Sequence, residues 1–102
     1  MASRLNLHEE LCALLGTRNA YYDPPESVKL NYTCIKYSLT GANVKRANNG
    51  VYGLMKEYEL IVISRDPDDP VTDSILTNFQ YARLTRAYRA DNLNHFVYTI
   101  YY

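Results

Sequence analysis

The run Lys56 to Ser64, Lys-Glu-Tyr-Glu-Leu-Ile-Val-Ile-Ser, has the side chains of a β-strand and of little else. Tyr58, Leu60 and Val62 fall on one face and Ile61 and Ile63 on the other, and β-branched and aromatic groups of this kind pack well on a pleated surface. The strand has a marked end. Arg65-Asp66-Pro67-Asp68-Asp69-Pro70 is a turn that becomes a helix start, with Asp69 at the cap, Pro70 in the first helical position and Asp73 placed to favour the helix dipole. That helix is expected over about Pro70 to Thr77, with Val71, Ile75 and Leu76 on its buried side.

Other runs supply the rest of a sheet. Leu30 to Tyr37 (LNYTCIKY) reads as a strand with apolar groups on both faces, which suits a central position. Gln80 to Arg89 alternates, with Ala82, Leu84, Arg86 and Tyr88 on one side, and is expected to be half-buried. Ala90 to Asn94 connects it to a last strand, Phe96 to Tyr102 (FVYTIYY), which is antiparallel to it by adjacency. A terminus so apolar belongs inside a sheet.

Asn6 to Leu15 carries Leu7, Leu11, Leu14 and Leu15 at the i, i+4, i+7, i+8 spacing of an amphipathic helix. Asn6 and Glu9 have capping-box spacing, and Gly16 suits the left-handed residue that ends a helix. Asp23-Pro24-Pro25 then forms a stiff connector. Thr40 to Gly53 (TGANVKRANNGVYG), with three glycines and three asparagines, reads as a long, exposed, basic hairpin in which Val44 to Ala47 can pair as a short strand.

The order is helix, strand, hairpin, strand, helix, strand, strand. Without regular βα alternation, the expected fold is α+β: an antiparallel or mixed sheet of about four to five strands with two helices on one face. The 102 residues fit one domain, 1–102, with a core that needs no staple.

Eleven basic residues balance eleven acidic ones, so no net field draws the molecule to nucleic acid or to an anionic membrane. Along the chain the signs separate. Arg18 to Lys56 holds six basic residues against two acidic ones, and Glu57 to Asp73 holds six acidic residues against Arg65 alone. Such segregation suits packing between copies, since complementary potentials fix register; ordinary solvated surface accounts for it equally well. Eleven tyrosines and no tryptophan fit either strand propensity or surfaces that are wet in a free subunit and buried in a complex.

Catalytic patterns are missing. His8 is expected on the solvated side of the first helix and His95 in a turn near Asp91; neither accompanies a nucleophile turn or a metal-binding pair. The cluster Asp66, Asp68, Asp69, Asp73 lacks the glycine and terminal glutamate of a calcium loop. No phosphate-cradling glycine motif occurs, so no cofactor is expected. Cys12 and Cys34 lack ligand spacing and are expected as free buried thiols in a reducing cytosol, with no leader and no membrane span.

Four segments in order carry a resemblance that covers nearly the whole chain: Tyr22 to Tyr32 (YDPPESVKLNY), Val44 to Asn49 (VKRANN) followed by Tyr52, Val62 to Asp68 (VISRDPD), and Tyr88 to Tyr102 (YRADNLNHFVYTIYY). Together they resemble the small neck proteins of long-tailed bacteriophages, above all the tail-completion or tail-terminator proteins, with head-closure and connector components as neighbours. The resemblance implies a structural virion subunit, assembled in the host cytoplasm. It implies a homo-hexameric ring that ends the tail tube, contacts the tail-tube protein and the head connector, and lets DNA pass without reading its sequence. Within that frame Lys45, Arg46, Asn48, Asn49 and Tyr52 are the candidate assembly residues. A nucleic-acid-binding module using Lys45, Arg46 and Tyr52 is the competing reading, against which the zero net charge counts.

Overall fold

The computed structural model describes the backbone of residues 4–47 and 50–102, and the side chains of those outside 43–55. Helix α1 (Arg4–Leu15) is followed by strands β1 (Ala20–Tyr22), β2 (Cys34–Ala47) and β3 (Gly50–Ser64), helix α2 (Pro70–Asn78), and strands β4 (Ala82–Ala90) and β5 (Leu93–Tyr101). The strands form one mixed sheet in the order β1-β2-β3-β5-β4. Only the β1–β2 pair is parallel; the other neighbours are antiparallel. The expected α+β class and strand number are met.

The helices cover one face of the sheet. Ile35 and Tyr37 of β2, Tyr58, Leu60 and Val62 of β3, and Tyr98 and Ile100 of β5 meet Leu7 and Leu11 of α1 and Val71 and Ile75 of α2 in a single core. Two of its tyrosines place their hydroxyls on hydrogen-bond partners. Tyr37 shares a hydrogen bond of 2.7 Å with His8 Nδ1, and Tyr98 donates to the Thr72 carbonyl at 2.9 Å. A buried phenol without such a partner would cost several kilocalories. Tyr37, Tyr58 and Tyr98 are thus core residues rather than reserve contact surface.

Helix α2 begins as its residues dictate. The Asp69 carboxylate accepts from the Val71 N–H at 3.0 Å, and Pro70 follows the cap. The same carboxylate accepts from Ser64 and from Thr33, each at 2.8 Å. One acid therefore ties the end of β3, the entry to β2 and the start of α2. Leu76, expected on the buried side, is 43% exposed instead. Helix α1 differs at its start: it is already helical at Arg4, so Asn6 lies inside it and not at its cap. Glu9 pairs with Arg18 at 2.9 Å instead of closing a capping box. Gly16 does end the helix, with φ of 71° and its N–H donated to the Cys12 carbonyl at 2.9 Å.

The strand expected from Leu30 begins at Cys34, because its partner β3 ends at Ser64 and offers residues 30–33 no ladder. The hairpin expected from Thr40 to Gly53 is present, with a longer ladder than the short strand expected at Val44 to Ala47: β2 and β3 pair through to Ala47 and Gly50, with register shifts between Leu39 and Gly41 and between Lys45 and Arg46. At the first shift a Cβ on Gly41 would sit 3.0 Å from Glu57 Oε2, the mobile end of a side chain that would have to move slightly to admit it. β4 is an exposed edge strand, not a half-buried one. A shift between Leu84 and Arg86 breaks the simple alternation and puts Leu84 and Arg86 on opposite faces. The Thr85 hydroxyl at the bulge donates to the Val97 carbonyl at 3.0 Å. Asp91 and Asn92, with φ of 53° and 61°, form the tight turn to β5.

Candidate functional site

The long β2–β3 ribbon is the most distinctive part of the molecule. The last pair between β3 and β5 is Glu57 with Tyr101, and the Tyr102 N–H reaches the Lys56 carbonyl at 2.9 Å. Beyond that level, among the described residues, β2 and β3 pair only with each other. The molecule accordingly measures 52 × 26 × 23 Å with a radius of gyration of 14.6 Å, against about 13 Å for a compact chain of this length. The backbones of Lys45 and Arg46 lie far along this ribbon, opposite Gly53 and Val51, and Tyr52 falls at the register shift between them. Asn48 and Asn49 lie outside the described residues.

The candidate chemical groups are engaged in structure. His8, expected on a solvated face, is half-buried against Tyr37, with ring centroids 5.8 Å apart. His95 stacks on Tyr88 at 4.8 Å, and its Nδ1 lies 3.2 Å from the Leu93 carbonyl, which can only accept. Cys12 and Cys34 are both buried and free. Burial pushes the Cys34 thiol up to about 11, with nearby Lys36 only partly offsetting it, so its nucleophilic thiolate is scarce at neutral pH. Burial also opposes ionisation of Asp69, but the hydrogen bonds from Val71, Ser64 and Thr33 outweigh it and hold that carboxyl below the usual aspartate range. Asp66 accepts from the Asp68 N–H at 2.9 Å, a turn role. Among the described residues, no three histidine, cysteine or acidic side chains gather as a metal-binding group.

What the fold leaves exposed is more informative. On the helix side, the β1–β2 margin presents Tyr22, 39% exposed, and Leu39, 47% exposed. The Arg4 guanidinium lies over the Tyr22 ring, 4.6 Å from its centroid. At the opposite margin, a groove of about 290 Å³ between α2 and β4 is lined by Pro67, Asp68, Asp73, Leu76, Leu84 and Phe96, among others. The open face of the sheet carries Arg86 over Tyr88, 5.0 Å from the ring centroid. None of Arg83, Arg86 and Arg89 forms an ion pair among the described residues. Neither margin was legible as a surface in the sequence, because the same leucine spacing serves buried and exposed positions alike.

No helix among the described residues is long and apolar enough to cross a membrane. Compared with known proteins, the chain matches no family model and no curated protein.

Proposed function

We propose that this chain is a structural subunit of a long-tailed bacteriophage neck: a tail-terminator or tail-completion protein that forms a six-membered ring, ends the tail tube and joins it to the head connector. The ribbon is the observation that carries this reading. A two-stranded hairpin is marginal by itself, and one that projects beyond its own sheet gains its stability and purpose from a neighbour. The four ordered sequence segments support the same assignment, as do the exposed apolar groups at both sheet margins. In this role the protein catalyses nothing, and DNA crosses the ring through weak, sequence-independent phosphate contacts that do not hold the duplex. A head-closure or connector component is the second reading, favoured by the same ribbon.

Native mass measurement of the purified chain, alone and with a tail-tube protein of its phage, tests the proposal. The expected result is a six-copy species in the presence of tube protein, seen as a sixfold ring at the tail's head-proximal end in a particle reconstruction. A single copy per particle, or a twelvefold ring continuous with the portal, overturns the terminator assignment.

A further inference from the structure

The two exposed margins on the helix side differ in a way that bears on how copies meet. The β1–β2 margin carries Tyr22 and Leu39, with the Arg4 cation over the Tyr22 ring. Tyr22 and Leu39 share the helix-side face: Tyr22 is level with core Tyr37, on which its ring packs edge-on at 5.2 Å, and Leu39 is level with core Tyr58. The nearby acid Asp23 does not neutralise this patch from the same side; it lines a groove with Lys36, Glu59 and Ile61, residues of the opposite face. The α2–β4 margin presents a groove with an apolar floor, Leu76, Leu84 and Phe96, and two carboxylates, Asp68 and Asp73. Leu76 and Leu84 are 43% and 44% exposed.

Resting on the ring reading above, we infer that the α2–β4 groove of one copy receives the Arg4–Tyr22–Leu39 margin of a second copy, the Arg4 guanidinium meeting Asp68 and Asp73. Charge complementarity selects this occupant. Pairing either margin with its own kind sets Arg4 against Arg4, or two carboxylates against two more, and like charges across an interface are strongly disfavoured. The margins cannot meet within one molecule, because they lie at opposite edges of a five-stranded sheet, about 19 Å apart at the usual strand spacing. The contact is therefore heterologous: each copy offers one margin forwards and one backwards, which closes into a ring or continues as a filament. The apolar groups supply burial and the ion pair supplies register.

The test uses Leu39→Cys and Leu76→Cys, both at exposed positions in a chain whose own cysteines are buried, with a short bis-maleimide as the crosslinker. The full chain carrying both substitutions is expected to give a ladder of covalent oligomers on a denaturing gel. Each single variant alone is expected to give none, and an equal mixture of the two to stop at the dimer. In parallel, Arg4→Glu and Asp73→Arg should each weaken self-association by at least about tenfold, and the double variant should recover most of it. A covalent dimer from either single variant shows like margins pairing and overturns the inference. A six-copy mass without any ladder keeps the ring and overturns this contact. A ladder with open or differently numbered assemblies keeps the contact and overturns the six-membered ring.

Discussion

Asp69 shows how much one residue can organise. Its role as cap was legible from Asp-Pro at a helix start, but its bonds to Ser64 and Thr33 join positions far apart in sequence and were not. Because its folded carboxyl titrates below the ordinary aspartate value, the stability it contributes is fully present above that ordinary value, about 3.9. That contribution is lost as pH falls through the lower, folded value. Asp69→Asn keeps an acceptor at the cap and removes the charge. It is expected to cost about 1 kcal/mol at neutral pH and to lack this part of the acid-dependent loss. Urea unfolding at a series of pH values should show the two proteins converging in acid; parallel curves would show that the charge is idle.

At the scale of elements, both helices and four of the five strands were legible from periodicity and punctuation. β1 was not, because three residues, Ala20–Tyr22, carry no measurable alternation and its parallel pairing is set by a distant partner. The ribbon was half legible: its glycines and asparagines signal turns, and only pairing with β3 reveals a ladder beneath them. Lys45 and Arg46 lie where that ladder has no third strand. Replacing both with glutamate should leave melting within about 0.5 kcal/mol per site while weakening ring formation or tail joining, since reversed charge opposes a complementary interface. Calorimetry and native mass measurement on the same sample check both halves. An unfolded double variant would make the ribbon structural, and one that joins tails normally would make it plain solvated surface.

Across the whole molecule, the sheet divides into a centre that holds the fold and margins that are free to make contacts. Leu60 sits fully buried on central β3 beneath both helices, whereas Leu84 on edge strand β4 is 44% exposed. Leu60→Ala should therefore cost about 2–5 kcal/mol through lost contacts and the cavity left behind. Leu84→Ala should stay within about 0.5 kcal/mol in the isolated chain and act instead on self-association. Equilibrium denaturation of both variants beside their native masses makes the comparison; equal losses of stability would place Leu84 in the core and remove the groove as a contact surface.

The sequence by itself determined the α+β class, β3 and β5 as strands of the sheet, the cap and first turn of α2, and the end of α1 at Gly16. These are local matters, decided by side-chain spacing and by the backbone preferences of proline, glycine and aspartate within a few residues. Only the tertiary structure decided that β1 joins the sheet in parallel, that β4 is an edge, that Leu76 and Leu84 stand open beside Asp68 and Asp73, and that Arg4 meets Tyr22. Exposure and charge pairing depend on which strand lies next to which. Strand order is settled by long-range ladder pairing and by the fit of two helices on one face, and no window of neighbouring residues encodes it.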